Sequence, residues 1–193
     1  MARGKSFNEE QVLDKARDLF WLKGYEAASM QDLVDSMGIN RQSIYDTFGG
    51  KEKLFEKALI RYQQQSVDFL QSILSSEGSA LIRLGRFIEN LRIQRAADKL
   101  GCFTINTIID RESRSAPATK LVNKTVNKIR SALTDCIAEG QKNGEIRSDK
   151  KAADLADIFF SAIISTNILC KIPGNDHSIE TITDFALNSL RPL

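Results

Sequence analysis

Apolar residues recur three and four positions apart along almost the whole of this chain, and no stretch alternates apolar with polar residues as a half-buried strand does. No hairpin signal and no internal repeat appears. Three prolines and eleven glycines in 193 residues leave few interruptions, so long helices are expected. The expected class is all-α.

The helix ends can be read from their punctuation. Asn8 is a good N-cap, with Gln11 three residues on, and Val12, Leu13, Ala16, Leu19 and Phe20 form one stripe before Gly24 stops the first helix. Ser29 caps a second helix to about Met37, with Asp32 at its third position, and Gly38 supplies the turn. Asn40 caps a very short third helix to about Thr47, broken by Gly49-Gly50, and a fourth runs from Lys51 to about Leu74. After Ser75–Ser79, helices are expected over about 80–98, 101–111, 117–142, 150–171 and 177–190. Pro117 suits a first turn, Ser148 suits an N-cap, and Asn143-Gly144 and Ile172-Pro173-Gly174 mark ends.

Composition narrows the function classes. With 42% apolar and 27% charged residues the chain reads as a soluble globular protein, and no segment long and apolar enough to span a bilayer is expected. The opening MARGKSFNEEQ has basic residues without an apolar stretch behind them, so no secretory leader and a cytoplasmic location are expected. Cys102, Cys136 and Cys170 are widely spaced and unpaired by motif, and His177 is the only histidine. A metal site, a cofactor and a Ser/His/Asp centre are therefore not expected, nor is an enzyme. Net charge is only +2, and residues 1–57 hold nine Lys/Arg against ten Asp/Glu. If the N-terminal part binds nucleic acid, it must do so by placing a few cations well.

The stretch GINRQSIYDTFGGKEKLF, residues 38–55, carries the chemistry. Two short helices joined by a glycine turn form a helix-turn-helix unit. Leu33, Met37, Ile39, Ile44 and Phe48 supply its inner side. Arg41, Gln42 and Ser43 stand at the start of the second helix, where a recognition helix meets base edges in the major groove. Arg bridges guanine O6 and N7, and Gln bridges adenine N6 and N7. Tyr45 and Thr47 offer hydroxyls to phosphates, and Ser29 and Lys51 open helices whose free N–H groups favour phosphate.

The segment ARDLFWLKGYEAASMQDLVDSMGINRQSIYDTFGGKEKLFEKAL resembles the DNA-binding domain of the tetracycline-repressor (TetR/AcrR) family. The matches are Leu19-Phe20, Lys23-Gly24-Tyr25, Ser29, Gly38, Ile44-Tyr45, Phe48, Lys51-Glu52 and Leu54-Phe55. Ala28, Val34 and Gly50 depart from the residues usual there. The resemblance is strong from about Asn8 to Leu59 and weaker beyond. It implies about nine helices: a helix-turn-helix domain over 1–50 and a helical ligand-binding and dimerisation domain over 51–193. It also implies a homodimeric repressor, released from double-stranded operator DNA by a small-molecule effector. DNA contacts are implied at Ser29, Arg41, Gln42, Ser43, Tyr45 and Lys51. A ligand-independent or activating regulator, or a helical scaffold, is the alternative.

Within such a frame, the small and apolar residues of 150–171 and 177–190 are expected to pair with their copies as a four-helix interface. An ordinary buried core helix is the alternative for that pattern. An effector pocket is expected from Phe87, Leu91, Phe103, Ile108 and Phe159, with Asn90, Thr104, Asn106, Thr107 and Thr166 as polar groups. Cys102, with Lys99, Arg111 and Arg114 as candidate basic neighbours, is weighed as a redox sensor but read as a small packing residue. Trp21 is also read as packing. Effector binding is expected to tilt the fourth helix and so change the spacing of the two recognition helices.

Overall fold

The structure, a computed structural model, describes residues 7–110 and 116–192. Among these it has nine α-helices and no strand: α1 (Glu9–Lys23), α2 (Met30–Met37), α3 (Arg41–Phe48), α4 (Lys51–Leu74), α5 (Ala80–Asp98), α6 (Phe103–Ile109), α7 (Ala116–Lys142), α8 (Ala152–Leu169) and α9 (Asp176–Asn188). Arg111 and Arg114 lie outside the described residues.

Two hydrophobic clusters organise these helices. The first gathers Val12, Ala16 and Phe20 of α1, Leu33 and Met37 of α2, Ile44 and Phe48 of α3, and Leu54, Phe55, Leu59 and Tyr62 of α4, joined by Phe103 and Val122. The second gathers Leu70 and Leu74 from the far end of α4 with Leu84, Ile88, Leu133, Ile137, Phe159 and Leu190. So α4 is a rod whose first half belongs to one core and whose last turns belong to the other. A bidentate ion pair fastens it to α1: Arg61 Nε donates to Asp14 Oδ1 at 2.7 Å, and Nη2 to Oδ2 at 3.0 Å. That guanidinium holds the Asp14 carboxyl below the usual carboxylate range.

Asn8 accepts from the Glu10 and Gln11 amides, and Asn40 accepts from the Ser43 amide at 2.8 Å. Gly50 precedes α4 at φ 100°, a conformation L side chains rarely adopt, and a Cβ there would press on the Tyr45 ring. Backbone geometry thus explains a glycine where a capping side chain is usual. Ser148 does not cap α8; Lys151 stands at that N-cap. The residues between are held in a turn by Gln141 Nε2, which donates to the carbonyls of Arg147 and Lys150, so the helix starts later than the Ser148 signal suggested.

One further expectation is corrected. The 18 residues of α8 are long and apolar enough, by composition, to cross a membrane. Here Leu155, Ala156, Phe159 and Ile163 of that helix pack into the second core.

Candidate nucleic-acid interface

The exposed face of α3 follows from what its other face must do. Ile44 and Phe48 are buried in the first core, which turns Arg41, Gln42 and Tyr45 outward. Gly38, at φ 71° and ψ 26°, takes the left-handed turn that sets α3 across α2. Tyr45 is 46% exposed. The Arg41 guanidinium lies 5.9 Å from the Tyr45 ring centre, a contact that limits the freedom of a long side chain. Gln42 Nε2 donates to Asp46 Oδ1 at 2.7 Å, holding the amide along the same face. Asp46 is therefore part of this surface, although the sequence reading passed over it. The signal was available: Gln and Asp four apart on a helix are neighbours. Lys57 was missed as well. Its ammonium donates to the Thr47 carbonyl at 3.4 Å and places a cation beside the end of α3.

Ser29 and Asp32 form a complete capping box. The Asp32 amide donates to Ser29 Oγ at 3.0 Å, and the Ser29 amide donates to Asp32 Oδ2 at 2.9 Å. The Ser29 hydroxyl also donates to Asp32 Oδ2 at 2.8 Å, so its polar capacity is engaged inside the cap. Lys23 Nζ donates to the other carboxylate oxygen at 2.7 Å and ties α1 to α2. At the opening of α4, Lys51 Nζ sits 4.5 Å from the Tyr25 ring centre and donates to the Glu26 carbonyl at 3.3 Å. No side chain caps α4, which leaves its first N–H groups and the Lys51 charge together at one end. Ser43 and Thr47 are half-buried flanks of α3.

Lys23 and the two Ser29 bonds hold the Asp32 carboxyl at about 2, below its ordinary 3.8. A depressed carboxylate pKa contributes stability above the ordinary value and loses it as pH falls through the folded value. Thermal midpoints should therefore fall between pH values of about 4 and about 2. Asp32→Asn should be less stable than wild type at neutral pH, with the gap closing across that window; a gap constant with pH would contradict the clamp.

A second region bears on regulation. A cavity of about 440 Å³ lies between α1, α4, α5 and α8, and is lined among others by Arg17, Trp21, Tyr62, Phe69, Arg95 and Asn167. Of the residues expected around an effector, Phe87 and Leu91 line it. Phe103, Asn106 and Thr107 instead line a smaller recess of about 260 Å³ beside Gly24 and Lys171. Phe159 and Thr166 are wholly buried, and the Thr166 hydroxyl donates to the Ala162 carbonyl at 2.9 Å. Thr104 is buried and Ile108 is exposed. Asn90 is exposed and donates to the Arg86 carbonyl at 2.8 Å. Trp21, read as packing, and Cys102, read as a small packing residue, both stand on the cavity wall. Burial pushes the Cys136 and Cys170 thiols up.

The outer surface of α8 carries two exposed isoleucines, and that of α9 is polar apart from Phe185. Ile158 is 48% exposed, Ile168 38% and Phe185 72%. Ser161 and Ser165 lie between the two isoleucines on the same stripe.

Comparison with known proteins agrees with this architecture. Residues 12–58 match the family model for bacterial regulatory proteins of the tetR family, and residues 80–185 match the tetracyclin repressor-like C-terminal domain. The HTH-type transcriptional repressor ComR of Escherichia coli K12 is 30% identical over 193 residues, covering 98% of this chain and 90% of the relative. The HTH-type transcriptional regulator YezE of Bacillus subtilis 168 is 26% identical, covering 98% and 100%. Among solved structures, a cysteine mutant of the TetR family regulator CifR complexed with 26-bp double-strand operator DNA has the same fold. Its TM-score is 0.85 at 22% identity, with 98% and 100% of the two chains covered. The chain belongs to the tetR family of bacterial regulatory proteins and is a DNA-binding transcriptional regulator.

Proposed function

We propose that this regulator is a homodimeric repressor, released from a near-palindromic operator when a small molecule occupies the cavity between α1, α4, α5 and α8. The cavity itself carries this reading. Its wall includes Arg17 and Trp21 of α1, a helix of the DNA-binding unit, together with residues of α5 and α8. An occupant there touches both parts of the molecule at once, and α4 passes along it from one core to the other. A change in that contact alters the angle of α1 and α4, and with them the separation of the two recognition helices. Coupling of about 1–3 kcal/mol is typical of such linkage.

In this reading Arg41 and Gln42 meet base edges, with Ser43, Tyr45 and Thr47 flanking them, and the starts of α2 and α4 at Ser29 and Lys51 meet phosphates. The exposed isoleucines of α8 and Phe185 of α9 pair with a second copy. Like ComR, whose name is that of a repressor, the protein blocks transcription, and it acts in the cytoplasm and not as an enzyme.

The test is binding to the DNA upstream of the protein's own gene, measured by fluorescence anisotropy across a salt series. Affinity should exceed that for random DNA and fall steeply with salt. Arg41→Ala and Gln42→Ala should each weaken it about 5- to 150-fold, roughly 1–3 kcal/mol, with the salt slope lowered by about one for Arg41→Ala and unchanged for Gln42→Ala. Equal binding of wild type and both variants would remove α3 as the reading element. Activation of a reporter, in place of repression, would replace the repressor with an activator.

A further inference from the structure

A lysine that swings freely makes a poor phosphate contact, because fixing its long chain costs rotamer freedom at the moment of binding. Lys51, the first residue of α4, is fixed beforehand. Its ammonium lies 4.5 Å from the centre of the Tyr25 ring and donates to the Glu26 carbonyl at 3.3 Å. Both partners belong to the turn after α1, which Gly24 opens at φ 81°.

The Tyr25 ring is itself held. It meets the Phe55 ring edge-to-face with 5.0 Å between centres, and it stacks on the Phe20 ring at 6.2 Å. Phe20 and Phe55 are buried in the first core. Tyr25 thus joins a close-packed core to a half-buried lysine.

Neither partner cancels the lysine's charge. A carbonyl oxygen and a ring face attract a cation but carry no formal charge. The Lys23 ammonium, by contrast, is tied to the Asp32 carboxylate at 2.7 Å. Burial pushes the Tyr25 hydroxyl above its ordinary value, and Glu52, Glu26 and Glu56 push it further, so the ring stays uncharged. A cation at the start of a helix also opposes the helix dipole, so Lys51 does little for α4 itself. The arrangement keeps a full positive charge in a set position.

Building on the reading that Lys51 meets phosphate, we propose that Tyr25 is a positioning residue for DNA binding. Its ring holds the Lys51 ammonium where the DNA backbone passes. The effect acts on phosphate alone and is the same for every base sequence.

The test is a double-mutant cycle read by fluorescence anisotropy across a salt series, on the upstream DNA and on a duplex of random sequence. Lys51→Met should weaken binding to both at least about tenfold and lower the salt slope by about one per subunit. Tyr25→Leu should weaken binding to both about three- to tenfold. Tyr25→Phe, which restores a ring, should return affinity to within about twofold of wild type. In the Lys51→Met background, Tyr25→Leu should change affinity by less than about twofold, because no charge is left for the ring to hold. A Tyr25→Leu loss that persists in that background belongs to the fold and overturns the proposal, as does a Tyr25→Phe protein as weak as Tyr25→Leu. Should Tyr25→Leu not fold, proton NMR of the free wild-type protein decides. A lysine methylene signal shifted upfield by the ring should be present and should vanish in Lys51→Met; its absence from wild type overturns the proposal. Failure of the underlying reading looks different. Lys51→Met would then bind like wild type with an unchanged slope, removing the phosphate contact and the proposal together. A weakened Lys51→Met beside a Tyr25→Leu protein that binds like wild type would overturn the role of the ring alone.

Discussion

Phe185→Asp should convert the proposed dimer to monomers at micromolar concentration and lower operator affinity at least about a hundredfold. Phe185 is 72% exposed on α9, among the least protected large apolar side chains of the protein, and it lies on the side away from the second core. Aromatic residues at the centre of an interface commonly contribute about 2 kcal/mol or more each, and a two-fold interface uses the residue twice. The variant also buries an unpaired carboxylate if the interface closes, which adds to the loss. Operator affinity falls with it because two recognition helices spaced about 34–36 Å apart bind as a unit only when joined. Sedimentation equilibrium measures the first effect and anisotropy the second. Circular dichroism should be unchanged, since Phe185 contributes nothing to the core. A variant that stays dimeric would move the interface off α9.

Phe159→Ala should destabilise the fold by about 3–5 kcal/mol, the usual range for emptying a phenylalanine site in a close-packed core. Phe159 is fully buried beside Leu133, Ile137 and Leu84, where α5, α7 and α8 meet. In a chain of this length each kcal/mol moves the thermal midpoint by about 2–4 °C, so a loss of about 6–20 °C is expected. Guanidinium unfolding should show a lower midpoint with an unchanged slope. The sequence pattern placed Phe159 among effector contacts, and the same variant checks that role. A stability loss below about 1 kcal/mol would take Phe159 out of the core and mark it as a cavity residue instead.

How far the chain can be read without its structure depends on range. Caps and stops are local, so Asn8, Ser29 with Asp32, Asn40, Gly24 and Gly38 identify helix ends from a few neighbouring residues. The outward face of α3 follows from Ile44 and Phe48 four apart. The cavity is not local. On α5, Phe87, Leu91, Gln94 and Asp98 recur with helical period and share one face, so Asn90 sits a step off it. On α1, Arg17 and Trp21 lie four apart on a face beside the core stripe of Val12, Ala16 and Phe20. Nothing in either segment says that these faces meet, since Trp21 and Arg95 are brought together only because α1 and α5 both pack on α4. Ser148 shows a local signal losing to a longer-range one: Gln141 holds the following turn open and delays α8.

Methylation-protection footprinting of the wild-type protein on its upstream DNA tests the central claim, that two copies of α3 read one operator, most directly. The account predicts two clusters of protected guanine N7 positions in the major groove, about one helical turn apart and related by two-fold symmetry, with protection at the guanines lost in Arg41→Ala. A single protected cluster, or protection unchanged in the Arg41→Ala protein, would contradict it.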